Sequence, residues 1–177
     1  MTINSSIVSL MIALSLTMSS SLAAKALKVG DDAPNFSLKA TNGKTYTLAN
    51  YKGRQAVVMA WYPMANTRGC TIECLSLVND GHLIRQYDVS YFMASVDPLE
   101  DNLEFAKKTK ADFPMLSDPT KSAAKAFDVL SLLGFAKRWT FYIGKNGKIL
   151  KIDKDIKPKN AAQDIVGNLE LLGFKPR

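Results

Sequence analysis

An apolar segment that runs into a polar loop and then into both cysteines of the chain constrains the fold more than any other feature. Residues 56–62 carry no charge and are rich in residue types that favour strands. From Cys70 to about Tyr87, apolar residues recur at helical spacing. A cysteine at a strand-to-helix junction lies where the positive end of the helix dipole favours a thiolate. The sequence therefore predicts an α/β fold with a reactive thiol at the start of a helix.

Strands and helices alternate along the rest of the chain. Further strands are predicted at residues 36–39, 46–48, 89–96, 139–143 and 149–152, with a short extended piece at 113–116. Further helices are predicted at residues 99–110, 120–127 and 160–172. Asn160 is the predicted N-cap of the last helix. Turn-forming segments at 41–44 and 145–148 predict one hairpin near each end. This order indicates a three-layer α/β domain with a mixed central sheet flanked by helices.

The first two dozen residues differ from the rest in composition. Residues 7–18 form a short apolar core, small residues follow it, and no charged residue precedes Lys25. This pattern resembles a secretory signal peptide with cleavage after Ala23. The apolar part is shorter than the roughly 20 residues that a membrane span needs, although an uncleaved N-terminal anchor is the alternative. We therefore expect a signal peptide at 1–23, one domain at 24–177, and an exported protein, periplasmic or secreted, with no stable membrane insertion after cleavage.

Charge and composition exclude several classes of function. The formal net charge is +7, but the lysines are scattered along the chain, which favours a solvated surface over a nucleic-acid site. His82 is the only histidine, and with two cysteines it does not make a convincing metal site. We therefore expect no nucleic-acid partner, no metal and no cofactor.

The two cysteines favour redox chemistry over structural cross-linking. Only three residues separate Cys70 from Cys74, so a disulfide between them would close a small loop and stabilise little through chain entropy. To attack an O–O bond, a thiol must be ionised, and a free cysteine with a pKa near 8.5 is only about 3% ionised at pH 7. The departing oxygen also needs fixed hydrogen-bond donors. Thr67, backbone N–H groups at the helix start and an arginine from elsewhere in the chain can supply these donors.

Several segments, in a fixed order, resemble the peroxiredoxin family (the alkyl hydroperoxide reductase/thiol-specific antioxidant type). The motif Pro63-x-x-x-Thr67-x-x-Cys70 looks like the active-site signature of that family. Residues 29–38 resemble its opening segment, residues 113–118 its middle segment, and residues 138–143 the segment that brings its active-site arginine. The resemblance extends over about residues 29–174. Within the family, the chain most resembles the bacterioferritin comigratory protein, or peroxiredoxin Q, subgroup.

The resemblance implies a thioredoxin-like fold and the thiol-dependent reduction of hydrogen peroxide or organic hydroperoxides. Cys70 would be the peroxidatic nucleophile, which the peroxide oxidises to a sulfenic acid. Thr67 would accept from the thiol region and donate to the peroxide, and Pro63 would shield the sulfur from bulk water. Arg138 would stabilise the thiolate and the developing oxyanion. The reductant would be a thioredoxin-like protein or a small thiol, and the subgroup includes monomers and dimers.

Cys74 departs from the subgroup, whose members with a resolving cysteine in the same helix usually place it five residues after the peroxidatic one. Here the spacing is four. Residues four apart on an intact helix have Cβ atoms about 5–6 Å apart, whereas a disulfide needs about 3.5–4.5 Å. We therefore predict a Cys70–Cys74 disulfide that forms after local unwinding of the helix start. The alternative is that Cys74 is a buried apolar filler and that an external thiol resolves Cys70.

Other interpretations remain open at the level of sequence. Glu73 either interacts with the Arg138 region or is simply a favourable carboxylate near a helix N-terminus. The alternative function is an exported thiol–disulfide oxidoreductase of the thioredoxin class, although such proteins usually use Cys-x-x-Cys and this chain has Cys-x-x-x-Cys. A non-enzymatic redox sensor with the same fold is a further alternative.

Overall fold

The computed structural model describes residues 26–177, so the predicted signal peptide lies outside the described residues. The strands are β1 (Ser37–Ala40), β2 (Thr45–Thr47), β3 (Ala56–Trp61), β4 (Val89–Ser95), β5 (Met115–Ser117), β6 (Thr140–Ile143) and β7 (Ile149–Asp153). They form one sheet in the order β2-β1-β5-β4-β3-β6-β7. Strands β3, β4 and β5 are parallel, and the other pairings are antiparallel. The predicted mixed sheet, the N-terminal hairpin β1–β2 and the hairpin β6–β7 are therefore confirmed.

Four α-helices flank this sheet within the described part of the chain. They are α1 (Arg68–Ile84), α2 (Leu99–Thr109), α3 (Ser122–Ala126) and α4 (Ala161–Leu171). Helices α1, α2 and α4 pack on one face, and α3 packs on the other together with the segment that precedes β1. The ends of the predicted elements differ from the observed ones by at most three residues. None of the helices in residues 26–177 is both long and apolar enough to cross a membrane.

Strand β3 lies between the two layers and is buried along its whole length. Its alternate side chains at Ala56, Val58 and Ala60 face the core under α1, α2 and α4. Those between them face the second core, under α3. A strand that is covered on both faces needs apolar residues at every position, which explains the continuous apolar run in the sequence. This covered strand supplies a rigid base for the loop that leads to Cys70.

The predicted capping of α4 by Asn160 is wrong. Asn160 does occupy the N-cap position, but its side chain makes no capping hydrogen bond. It ends a short 3₁₀ turn with φ −112° and ψ 15°, outside the extended conformation that points an N-cap side chain at the helix. Instead, the Ala162 N–H donates to Ser76 Oγ at 3.2 Å. The cap of α4 therefore comes from α1, 86 residues earlier in the chain.

Candidate active site

The loop between β3 and α1 is held at two points. The Ala65 N–H donates to the Asp97 carboxylate at 2.9 Å, which ties the middle of the loop to the end of β4. Asn66 has a positive φ of 61°, and asparagine adopts this conformation more readily than most residues. The chain then enters α1 through Thr67, whose backbone is extended. The loop therefore fixes the direction in which α1 leaves the sheet.

Cys70 is the third residue of α1, and it is fully buried. The first intrahelical N–H bond runs from Thr71 to the Thr67 carbonyl at 2.9 Å. The N–H groups of Arg68, Gly69 and Cys70 precede this bond and have no partner within the helix. Cys70 thus lies beside backbone donors at the positive end of the helix dipole, as the sequence pattern predicts.

Arg138 reaches Cys70 because the pairing with β3 extends to Trp139, the residue just before β6. The Trp61 N–H donates to the Trp139 carbonyl at 2.9 Å, which places residue 138 opposite the start of α1. Arg138 Nη2 then donates to Cys70 Sγ at 3.2 Å across 68 residues of sequence. The structure therefore brings together Cys70 and Arg138, the two central members of the predicted site.

Glu73 shares the same guanidinium. Arg138 Nη1 donates to the Glu73 carboxylate and forms an ion pair with it. The Glu73 side chain is only 1% exposed, and this burial raises its pKa to about 7 although the charge of Arg138 acts in the opposite direction. The carboxylate in turn raises the pKa of Arg138 against the effect of burial, so Arg138 stays charged. The predicted contact of Glu73 with the Arg138 region is confirmed.

Gly69 has a steric role at the site that the sequence reasoning missed. A Cβ at this position would lie 3.2 Å from Arg138 Nη2, closer than most carbon contacts. Glycine therefore lets the guanidinium approach the helix and reach the sulfur. The predicted helix begins at Cys70, so Gly69 stands just outside it; the structure places Gly69 in the first turn of α1, where glycine costs about 1 kcal/mol relative to alanine.

Thr67 and Pro63 lie in the loop that precedes Cys70. The Thr67 hydroxyl donates to the Met64 carbonyl at 2.9 Å and does not cap α1. Its lone pairs remain available to accept a hydrogen bond from an incoming O–H. Pro63 follows β3 by two positions and is partly buried. Both residues are thus part of the segment that forms the approach to Cys70.

Cys74 lies one helical turn after Cys70 and is fully buried. Its thiol donates to Thr109 Oγ1 at 3.2 Å, and the Thr109 hydroxyl donates to the Phe105 carbonyl at 2.7 Å. Burial raises the pKa of Cys74 to about 11, so the thiol is protonated at neutral pH. Both cysteines are free thiols in this structure. Cys74 is thus held against α2 while Cys70 bonds to Arg138.

The remaining residues singled out in the sequence occupy less reactive positions. His82 and Arg68 are exposed, consistent with ordinary surface residues. Trp61 is buried in the core under α3, and Trp139 is half-buried at the edge of that core. None of these four side chains joins the cluster of Cys70, Arg138 and Glu73.

Comparison with known proteins agrees with this geometry. A family model described as the AhpC/TSA family matches residues 29–152. The chain belongs to this family, the peroxiredoxins. It is therefore a thiol-dependent peroxidase, and the alternative of a thioredoxin-class oxidoreductase is not favoured.

Individual peroxiredoxins are similar over most of the chain. Peroxiredoxin Bcp of Bacillus subtilis is 30% identical over 156 residues, which cover 84% of this chain and 99% of that protein. Peroxiredoxin Bcp of Escherichia coli is 32% identical over 149 residues, covering 80% and 94%. The crystal structure of peroxidoxin BcpB from Mycobacterium tuberculosis superposes with a TM-score of 0.73 at 29% identity, covering 82% and 97%. The resemblance to the bacterioferritin comigratory protein subgroup is thus confirmed.

We expect replacement of Glu73 by glutamine to change how stability depends on pH. The pKa of Glu73 is about 7 in the folded chain and near 4.5 when it is exposed, so the folded state binds the extra proton between these values. Stability is therefore lost as pH rises from about 4.5 through 7, by on the order of 3 kcal/mol in total. Urea unfolding at about pH 5 and about pH 8 should show this loss in the wild type and not in Glu73→Gln. Glu104→Gln, at an exposed site on α2, is the matched control, and parallel pH curves for wild type and Glu73→Gln would contradict the prediction.

We expect Gly69→Ala to lower peroxidase activity while preserving the fold. The added methyl group displaces the Arg138 guanidinium, and a misplacement of about 1 Å at a reacting group costs between about tenfold and a hundredfold in rate. Gly167→Ala on α4 is the control, because a Cβ there meets no atom within 4 Å. Peroxide consumption measured under one reductant tests both variants. Full activity of Gly69→Ala would show that Arg138 does not need this approach.

Proposed function

We propose that Cys70 is the nucleophile of this peroxidase and that Arg138 is its electrostatic partner. The observation that carries the proposal is the hydrogen bond from Arg138 Nη2 to Cys70 Sγ at 3.2 Å. An arginine is charged at every physiological pH, so it favours the thiolate and the negative charge that develops on the leaving oxygen. The Arg138 side chain is 20% exposed, and we propose that its exposed part meets the substrate.

The reaction follows from these positions. The Cys70 thiolate attacks one oxygen of the peroxide, the S–O bond forms, and the O–O bond breaks. The departing oxygen leaves as water or as an alcohol after it takes up a proton, and Cys70 becomes a sulfenic acid. Arg138 and the N–H of Cys70 stabilise the developing charge, while Thr67 accepts a hydrogen bond from the peroxide O–H. The Thr67 hydroxyl donates to the Met64 carbonyl, so we propose that it accepts from the peroxide, whereas the resemblance implied that it donates to the peroxide.

Cys74 is proposed as the resolving cysteine. Its thiol would condense with the Cys70 sulfenic acid, giving a disulfide and one molecule of water. Resolution requires that the first turns of α1 unwind, because Cys74 is buried against Thr109 and is protonated there. Unwinding breaks the Thr109 contact and brings the thiol into water, where it ionises more readily. The alternative is that Cys74 is a buried filler and that an external thiol resolves Cys70.

The family and the leader sequence support proposals for the substrates, the reductant and the location of the protein. Peroxiredoxin homologues imply a peroxide substrate and a thiol reductant. For this chain, we propose hydrogen peroxide and organic hydroperoxides as oxidants and a thioredoxin-like protein or a small thiol as reductant. We also propose export, with removal of residues 1–23. Monomer and dimer both remain compatible with this mechanism.

Replacement of each cysteine separates the two proposed roles. Cys70→Ser should reduce peroxide consumption to the background rate, because it removes the nucleophile. After one equivalent of peroxide, the intact mass of the wild type should fall by two hydrogens, because a disulfide forms, and a dione that labels sulfenic acids should not react with it. In Cys74→Ala the Cys70 sulfenic acid should persist and be labelled by the dione. If wild type and Cys74→Ala are labelled equally, Cys74 is a filler. Equal activity of Cys70→Ser and wild type would refute the assignment of the nucleophile.

Removal of the proposed signal peptide would give the mature protein a defined first residue. The mature chain recovered from outside the cytoplasm should begin at Ala24, because the small residues Ser21 and Ala23 follow the apolar core just before that point. Intact-mass measurement of the full-length chain, expressed in a host with a secretion pathway, tests this. Ala23→Arg is a control that should block cleavage. Recovery of the intact chain starting at Met1 in the membrane fraction would favour the N-terminal anchor instead.

A further inference from the structure

A tight turn near the active-site arginine presents two leucines to solvent. An isolated β-bridge joins Leu130 to Ala136, and the Ser131 N–H donates to the Phe135 carbonyl at 2.9 Å. The Gly134 N–H donates to the Ser131 carbonyl at 3.0 Å, and Gly134 has a φ of +84°. These bonds define a three-residue hairpin loop, Leu132-Leu133-Gly134, which we call the leucine turn. Backbone hydrogen bonds hold its shape.

The residue types at the tip of this turn are unusual. Leu132 is fully exposed and Leu133 is 81% exposed. Turn positions of this kind normally carry polar residues, glycine or proline, because these suit the backbone and water. Since the closed turn keeps both leucines at its apex, they cannot fold back onto the core. Two adjacent apolar side chains on a convex tip are suited to an apolar partner that the tip can enter.

One lysine lies beside the leucine turn, and two more lie on Trp139, which follows the turn in the chain. Lys121 Nζ lies 3.1 Å from the position that a Cβ on Gly134 would occupy. Lys137 Nζ lies 4.6 Å from the centre of the Trp139 ring, and Lys154 Nζ lies 4.1 Å from it. Asp128 is the one acidic residue among residues 127–138, and its backbone carbonyl accepts a hydrogen bond from Lys137. Lys121 thus lies beside the turn, and Lys137, Lys154 and Trp139 form a basic, aromatic cluster next to the segment that follows it.

We propose that the leucine turn, with Lys121, Lys137 and Lys154, docks the protein onto an anionic phospholipid surface. Exposed leucines on a convex tip enter the boundary between headgroups and acyl chains, and lysines around them attract anionic headgroups. Trp139, as an aromatic ring that carries two lysines, is typical of the interfacial level. The lysines complement anionic headgroups. The tip also offers no concave face for a protein side chain to fill, so we favour a lipid surface over a protein partner. The protein would bind at the surface of the membrane without crossing it.

Docking has a consequence for the substrate, which rests on the proposed function. Only Lys137 separates Ala136, at the base of the turn, from Arg138, which bonds to Cys70. A docked protein would therefore hold its peroxide site close to the lipid surface. We infer that hydroperoxides of membrane phospholipids are among the organic hydroperoxides that it reduces. The Cys70 thiolate and the lipid hydroperoxide would give the Cys70 sulfenic acid and the lipid alcohol, with uptake of one proton.

Vesicle binding in the absence of peroxide tests the docking separately from catalysis. The mature chain, residues 24–177, is sedimented with vesicles of phosphatidylglycerol and phosphatidylcholine and with vesicles of phosphatidylcholine alone. We expect binding to the first and not to the second, and a loss of binding as salt rises from about 0.05 M to about 0.5 M. Leu132→Ser/Leu133→Ser should lower the partition coefficient on the order of tenfold or more. Lys121→Gln should lower it about fivefold.

Leu171→Ser is the matched control, because Leu171 is 84% exposed on α4, away from the leucine turn. It should bind vesicles as the wild type does. Equal binding of Leu132→Ser/Leu133→Ser and wild type would overturn the proposal. So would a wild-type dimer that the double substitution converts to a monomer without any change in vesicle binding, since the turn would then serve a second copy of the chain.

A second measurement addresses the lipid substrate. The rate on vesicle-borne phospholipid hydroperoxide, divided by the rate on hydrogen peroxide, should fall about tenfold in Leu132→Ser/Leu133→Ser. An unchanged ratio together with lost vesicle binding would refute the lipid substrate and leave the docking intact. Inactivity of wild type on both peroxides, with vesicle binding retained, would refute the proposed function alone.

Discussion

One partly buried guanidinium organises the candidate active site. Arg138 contacts the sulfur of Cys70 through one nitrogen and the carboxylate of Glu73 through the other. Two groups that can carry negative charge thus compete for one fixed positive charge. Burial raises the pKa of Glu73 to about 7, so near neutral pH this carboxyl exchanges its proton easily. When the thiolate forms beside Arg138, a neutral Glu73 becomes more favourable because two anions on one cation repel each other.

The rest of the fold supplies the precision that this arrangement needs. The two cores fix β3 from both faces, β3 fixes the backbone at residue 139 through the Trp61 hydrogen bond, and the loop before Cys70 is tied to Asp97. Arg138 therefore lies two residues before β6, in a segment that this hydrogen bond ties to β3. Positioning by rigid elements is what allows fixed donors to stabilise a transition state without reorganising.

Local patterns of the sequence predicted most of the architecture, because they report what each segment must bury. The apolar run of β3 and the turn residues of both hairpins are such patterns, and each predicted element is present. Features that depend on distant residues were not predicted from the sequence. The cap of α4 comes from Ser76 on α1, the space at Gly69 is defined by Arg138, and Thr109 holds Cys74. The sequence next to each of these positions does not indicate which distant residue it contacts.

The resemblance to a family supplied what local patterns lacked at the site itself. It singled out Arg138 among the many basic residues of the chain, and the structure places that residue on Cys70. It also assigned a donor role to Thr67, whose hydroxyl proton the structure gives to Met64. A motif indicates which residues gather, whereas the direction of each hydrogen bond depends on the local backbone.

In the proposed mechanism, the contact between Cys74 and Thr109 delays resolution. While it holds, the Cys74 thiol stays against α2 and does not reach the oxidised sulfur of Cys70, which must wait for the helix to open. During that interval a second peroxide competes to oxidise the sulfur further, to the sulfinic acid, which only a dedicated repair enzyme reverses. On this mechanism, one threonine hydroxyl on a neighbouring helix helps to set how much peroxide the protein tolerates.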